Sequence, residues 1–284
     1  MKILIAEHFG MCFGVRDALA EAERVASEGP LTILGELVHN PVVRDRLGAR
    51  GVREASIDAL ASPTAQVMIT AHGASDAKRE AWRSAGFRLF DGTCPLVRRA
   101  HEQLRTLVRL GYFPVVIGKR GHVEVQGLIG DFPEAVVLES GDDIDCLPAS
   151  AARFGVISQT TQPIDRVLQI VERLRQLRPE AEVKFCDTVC QPTKNRQDAL
   201  RKLIKGCDTI VAVGGDNSNN TRELVAAARA AGRRAFHIEQ ADELRADWLA
   251  GAENVGLTAG TSTLKETVDA VHARLLQLAN SAAR

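Results

Sequence analysis

Three stretches of the chain repeat one alternation of apolar and polar positions. Val15, Ala18, Leu19, Ala22 and Val25 recur at helical spacing, as do Leu96, Val97, Ala100, Leu104, Leu107 and Val108, and then Ala199, Leu200, Leu203 and Ile204. Each predicted helix runs into a short apolar segment with a polar end, reading LTILGELVHN, FPVVIGKRGHVE and TIVAVGGDNSNN. A short apolar run closed by glycine and polar residues reads as a buried strand. Each helix is also opened by a cysteine: Cys12, Cys94 and Cys190. His39, His122 and Ser218 stand 27, 28 and 28 residues beyond those cysteines. A strand entering an acidic turn follows at VREASIDAL, VLESGDDIDCL and HIEQADEL, putting Glu54, Glu139 and Glu239 in matching places. A second polar strand end closes each copy, as ITAHGAS, VISQTTQP and LTAGTST.

The repeat unit, about 90 residues, is too long for a solenoid unit, so the pattern predicts three small lobes rather than a stacked array. The expected fold is α/β, with three pseudo-threefold-related lobes over residues 1–94, 95–190 and 191–284. A chain of 284 residues with 45% hydrophobic content can bury a large core, and lobes of this size lean on one another. The 36 basic residues balance the 36 acidic ones. With no basic run, nucleic-acid binding is excluded as a main role. The opening MKILIA reads as a strand, and no segment reaches the ~20 apolar residues of a membrane helix, so the expectation is a cytoplasmic monomer.

The chain has six cysteines, and in a reducing compartment these point to metal binding or catalysis rather than disulfides. Cys146 and Cys207 do not recur between copies and read as small core hydrophobes. Cys186 precedes Cys190 by four residues, but no second ligand pair follows at zinc spacing, so it reads as strand packing. The recurring trio differs, because a thiol at a helix N-terminus has its thiolate favoured by the dipole and the free backbone N–H groups. Three such thiolates on one pseudo-threefold centre suit an iron–sulfur cluster, whose fourth iron would then be open to a substrate; a structural zinc would want a fourth protein ligand.

The polar strand ends hold His39 with Asn40, His72, His122 with Glu124, Thr160 with Thr161, Ser218 with Asn220, and Ser262. Imidazole, hydroxyl and amide donors without a lysine suit a phosphate or diphosphate held by many hydrogen bonds. Backbone N–H groups at the start of NSNNTRELVAAARAAG add to that set. Glu124, a carboxylate in a donor-rich set, could deliver a proton or orient a neighbouring hydroxyl or imidazole.

Taken in order, CFGV, ELVHN, AHG, DGTCPLV, GHVEVQG, SQTT, DTVCQPTKNRQ, NSNN and TAGTS run nearly end to end, and with these segments the sequence resembles the LytB/IspH family of 4-hydroxy-3-methylbut-2-enyl diphosphate reductases. The resemblance implies a trefoil of three lobes around one central [4Fe-4S] cluster per chain, held by Cys12, Cys94 and Cys190. It implies reductive removal of the C4 hydroxyl from an allylic diphosphate, giving isopentenyl and dimethylallyl diphosphates, the last step of the methylerythritol phosphate pathway of isoprenoid synthesis. His39, His72, His122, Ser218, Asn219, Asn220 and Ser262 would hold the diphosphate. Glu124, with His122 and Thr160, would serve the leaving hydroxyl, and Thr193 and Asn195 would shape the pocket beyond Cys190. GGDNSNN is not a dinucleotide fingerprint, so the implied electron donor is a ferredoxin or flavodoxin-type protein rather than bound NADPH.

The chain departs from the family pattern at AEHFGMCFGV around Cys12, at Asp216, at Asn219 where a serine is common, and at Leu264. All three cysteines and Glu124 are kept. Two alternatives stay open on these changes: a relative that reduces another phosphorylated allylic substrate, and a non-catalytic iron–sulfur sensor.

Overall fold

A computed structural model describes residues 1–38 and 41–282. In chain order the elements are β1 (Lys2–Ile5), α1 (Phe13–Glu28), β2 (Leu31–Leu34), α2 (Pro41–Gly48), β3 (Arg53–Ala55), β4 (Gln66–Ile69), α3 (Asp76–Ser84), β5 (Arg88–Asp91) and α4 (Pro95–Arg109). Then come β6 (Phe113–Ile117), α5 (Val123–Ile129), β7 (Val136–Leu138), β8 (Arg153–Ser158), α6 (Ile164–Leu177), β9 (Glu182–Phe185) and α7 (Gln191–Gly206). The chain ends with β10 (Thr209–Val213), α8 (Asn219–Ala230), β11 (Arg234–Ile238), β12 (Asn254–Ala259) and α9 (Lys265–Ala282). Each recurring cysteine is followed by a helix and then a strand, as the periodicity predicts.

The strands form three four-stranded sheets, ordered β3-β2-β4-β5, β7-β6-β8-β9 and β11-β10-β12-β1. Every pairing is parallel, so helices must carry the chain from one strand to the next. The order is the same three times, which gives the expected three α/β lobes. The third sheet is finished by the first strand of the chain: Lys2–Ile5 lies in register with Asn254–Leu257. Each cysteine therefore follows the outer strand of a completed sheet: β1 before Cys12, β5 before Cys94 and β9 before Cys190.

Contacts divide the chain into two compact units. One comprises residues 1–16, 38–46 and 191–284 and contains the β11-β10-β12-β1 sheet; the other comprises residues 17–37 and 47–190 and contains the other two. In the first unit β10 is buried throughout, flanked by Leu203, Leu224 and Ala228 on one side and by Val268, Val271 and Leu275 on the other. In the second, Val97, Ala100, Leu104 and Leu107 of α4 are buried, the last three packing with Val116, Val125, Leu128 and Ile157. The opposite face of that sheet takes Val167, Ile170, Val171 and Leu174 of α6 against Val115, Ile117, Phe154 and Val156. The sheet ending at β5 keeps its own cluster of Leu34, Val67, Ile69 and Trp82, the indole N–H donating to the Ile57 carbonyl at 2.9 Å.

Two expectations change. Cys207 is buried as a core residue, but Cys146 is exposed at the end of the short 3₁₀ helix Gly141–Cys146 and packs in no core. Glu54 also loses its match: it lies inside β3 in register with Ile33, whereas Glu139 and Glu239 fall one residue past β7 and β11. The latter two carboxylates accept backbone N–H groups from Arg120 (2.6 Å) and Asp216 (2.7 Å), each the third residue beyond its central strand. The residue at their station in the remaining sheet is Ser56.

A glycine follows each central strand, and the N–H groups of Gly35, Gly118 and Gly214 donate to the last carbonyl of the neighbouring strand at 2.8, 3.0 and 2.9 Å. Gly214 has φ of 158°, and a Cβ there or at Gly260 would fall on the Thr221 hydroxyl. Thr221 is fully buried between these two glycines. A Gly260→Ala variant should lose about 1–3 kcal/mol in urea unfolding. Adding Thr221→Ala should return part of the loss, since the hydroxyl is the closest atom in the way.

Candidate active site

The three cysteines occupy one backbone station. The N–H of Cys12 donates to the Thr261 carbonyl at 3.2 Å, that of Cys94 to Ala71 at 3.1 Å and that of Cys190 to Thr160 at 2.9 Å. Each acceptor is two residues past the end of the strand paired with the cysteine's own: β12, β4 and β8. Cys94 is the N-cap of α4, with Pro95 in its first turn, and makes no side-chain cap bond. All three are partly exposed thiols outside any disulfide. Cys186 differs, since it packs beside the Val116–Leu128 cluster.

Within the second unit, His72, His122, Glu124 and Thr160 come together. Glu124 is 1% exposed, and its two carboxylate oxygens accept the backbone N–H (2.6 Å) and the hydroxyl (3.1 Å) of Thr160. Burial pushes its carboxyl up to about 7, against the opposing effect of the two Thr160 hydrogen bonds. A proton is thus held and released near neutrality. His122 caps α5, its Nδ1 accepting the Glu124 N–H at 3.1 Å. The neutral ring then carries its proton on Nε2, which presents a donor. His72 meets His122 edge to face, with ring centroids 5.2 Å apart.

His72, His122 and Glu124 each place a ligand-type atom within 4.8 Å of the other two. A metal on His122 Nε2 would need the proton moved to Nδ1, where the Glu124 N–H already points. The trio therefore suits the oxygens of an anion better than a metal ion.

The first unit holds a second donor set. Ser218 caps α8, its hydroxyl accepting the Thr221 N–H at 3.3 Å, and Asn220 Oδ1 accepts the Thr261 N–H at 3.2 Å beside Ser262. That bond leaves the Asn220 amide group as a donor. The Asn219 Nδ2 is buried with no hydrogen-bond partner. A buried amide donor left unpaired costs about 1–3 kcal/mol, and the arrangement makes sense for a ligand that brings acceptor oxygens. Asp216 does not oppose such a ligand: its side chain is 85% exposed and lies 3.8 Å from His237 Nδ1. Asn195 lines a cleft of about 280 Å³ beside Cys12 and accepts from Gln191 at 2.7 Å, while Thr193 is buried within α7. His39 lies outside the described residues.

Five contributors escape the sequence. Thr221 has no counterpart at the other strand ends, and the Thr261, Ala71 and Thr160 carbonyls act through backbone, which residue type does not report. Arg196, buried, donates to the Gly10 carbonyl in the turn before Cys12, and only long-range folding joins these two. The recurring glycine after each central strand was the available signal for the shared station.

Comparison with known proteins identifies the family. The chain is 35% identical over 284 residues to the 4-hydroxy-3-methylbut-2-enyl diphosphate reductase of Aquifex aeolicus, covering 98% of this chain and 97% of that protein. It is 36% identical to the same-named protein of Geobacter sulfurreducens, covering 99% of each. Among solved structures, the E-1-hydroxy-2-methyl-but-2-enyl-4-diphosphate reductase of Plasmodium falciparum superposes with a TM-score of 0.89 at 26% identity, covering 97% of this chain and 88% of that one. A structure described as (E)-4-hydroxy-3-methyl-but-2-enyl diphosphate reductase, the terminal enzyme of the non-mevalonate pathway, gives a TM-score of 0.69 at 34% identity, covering 98% of this chain and all of that one. The LytB protein family matches residues 3–276, and the chain belongs to it.

Proposed function

We propose that the chain reduces (E)-4-hydroxy-3-methylbut-2-enyl diphosphate to isopentenyl and dimethylallyl diphosphates, taking up two electrons and two protons and releasing water. The observation that carries this reading is Glu124, buried, protonatable near neutrality and flanked by the donors of His72, His122 and Thr160.

Cys12, Cys94 and Cys190 would hold one [4Fe-4S] cluster. The donor set fits: three reduced thiols at one repeated station, with no fourth cysteine there. When bound, the cluster supplies electrons singly and a Lewis-acidic iron for the substrate's hydroxyl oxygen. The chain's own residues do the rest. Glu124 holds a proton to hand toward the leaving hydroxyl, and Thr160, bound to it through both N–H and O–H, fixes the direction of that carboxyl. His122 Nε2 and His72 donate to diphosphate oxygens, as do the Ser218 hydroxyl, the Asn219 and Asn220 amides and Ser262. His39 and Asn195 belong to the same proposed set. The buried, low-dielectric surroundings of Glu124 strengthen each of its hydrogen bonds. Electrons come from a ferredoxin or flavodoxin-type protein. Among the described residues no helix is long and apolar enough to cross a membrane.

The test is turnover. With the cluster reconstituted anaerobically and reduced methyl viologen as donor, both five-carbon diphosphates should appear. An intact cluster, shown by iron and sulfide content, without either product would overturn the reading in favour of another phosphorylated substrate or a sensor. Removing the unpaired amide by Asn219→Ala should raise KM about 10- to 100-fold with a smaller change in kcat, the loss of one or two hydrogen bonds to a charged ligand. Asn219→Ser, which restores a hydroxyl donor, should recover most of the affinity. Equal KM values in all three proteins would remove Asn219 from the diphosphate site.

A further inference from the structure

We propose that an arginine-rich cleft between α3 and the N-terminal half of α4 is the docking surface for an acidic one-electron carrier protein; this rests on the reductive reading above. The cleft, about 510 Å³, carries Arg79, Arg83, Arg98, Arg99 and Arg105 against three carboxylates. It therefore holds a local positive excess on a chain whose formal charge is zero. His101 adds no charge, since burial lowers it to about 4.

The arginines divide into those tied to the protein and those left to solvent. Arg79 is buried, 3.0 Å from Asp76 and 3.2 Å from the Thr93 hydroxyl. Arg98 donates to the Thr93 and Asp91 carbonyls at 3.2 and 3.0 Å, bracing the loop that ends on Cys94. Arg105 pairs with Asp76 and Glu102, so these three cations are tied to groups of the protein itself, although Arg98 is half-exposed. Arg83 and Arg99 are exposed, with only Glu80 at 3.9 Å from the former and no ion pair for the latter among the described residues. A pair of spread, solvated charges on a rim suits the acidic surface of another protein better than a small anion sunk in the cleft.

Position singles out an electron carrier among acidic partners. Cys94 is the N-cap of α4, and the Arg98 N–H donates to its carbonyl at 3.0 Å. Arg98 and Arg99 thus sit one helical turn, ~5.4 Å of rise, beyond a proposed cluster ligand. Each docking event passes one electron, so the carrier is oxidised by one electron twice per turnover. The substrate, gaining two electrons and two protons, loses its hydroxyl as water.

Charge reversal tests this. Rates are compared with a reduced flavodoxin or plant-type ferredoxin and with reduced methyl viologen, a small molecule that needs no docking surface. The Arg83→Glu/Arg99→Glu protein should lose about tenfold or more in kcat/KM for the carrier at low salt, and the wild-type value should fall with added salt toward that of the variant. Its methyl viologen rate should equal that of the wild type, and an Arg245→Glu/Lys265→Glu control should keep the carrier rate. Equal carrier kcat/KM in wild type and Arg83→Glu/Arg99→Glu would overturn the proposal, as would an equal loss in the control. Titration of the oxidised carrier against both proteins gives a readout independent of turnover. Failure of the reductive reading shows separately, as no turnover with methyl viologen.

Discussion

A Glu124→Gln variant should retain its cluster and lose about 10²- to 10⁴-fold in kcat, the range that a positioned general acid supplies. The substituted side chain can keep both links to Thr160, with its carbonyl accepting the N–H and its amide donating to a turned hydroxyl. A fall in rate would then report the missing proton rather than a displaced loop. An unchanged rate would remove Glu124 from the acid role.

The pH profile gives a second reading of the same group. Burial holds the Glu124 proton up to about pH 7, so wild-type turnover should decline as pH rises through that value, and the residual rate of the variant should lack this step. Stability should move with it. An unfolded glutamate releases its proton near 4.5, so between that pH and about 7 the folded state binds more protons and loses stability as pH rises. Above pH 7 the charged buried carboxylate costs of the order of 3 kcal/mol, which the amide avoids. Urea unfolding at pH 5 and pH 8 should show wild type losing more stability across the interval than the variant.

The largest loss is expected at the cysteines. Cys12→Ser, Cys94→Ser and Cys190→Ser should each bind less iron and sulfide and reduce turnover to background, whereas Cys146→Ser, Cys186→Ser and Cys207→Ser should keep the full complement. The first three are held through backbone N–H bonds that serine preserves, so their folds should be unaltered by far-UV circular dichroism. Cys207 is buried in the core, and its loss should show in stability rather than in iron. Iron lost on Cys186→Ser would move the ligand assignment.

The sequence made the three-lobe fold legible because the same cysteine–helix–strand unit is written three times, and chance does not keep spacing over such lengths. The polar strand ends were legible for the same reason: position, not residue type, marks His122 and Ser218 as counterparts. Sheet membership was not. The pairing of Lys2 with Asn254 depends on residues at opposite ends of the chain, and no local period reports it. Glu54 resembles Glu139 and Glu239 in being acidic near an acidic turn, but strand register, which sets their stations, is decided by backbone pairing. The exposure of Cys146 escaped because so short a helix has too few residues to show a face. The raised Glu124 carboxyl was likewise invisible, since its cause is the absence of water around a residue that composition counts as polar.

The borrowed strand of the third sheet sets an order of events during synthesis. Cys12 is made long before Thr261, yet the Thr261 carbonyl anchors its N–H, and the strand beside its own begins at Asn254. The other two stations depend on acceptors made earlier than their cysteines, Ala71 before Cys94 and Thr160 before Cys190. A growing chain can thus complete the Cys94 and Cys190 stations before Thr261 is made, and the earliest of the three cysteines is the last to be set. A chain cut before Asn254 would lack both the strand beside β1 and the carbonyl that anchors the Cys12 N–H.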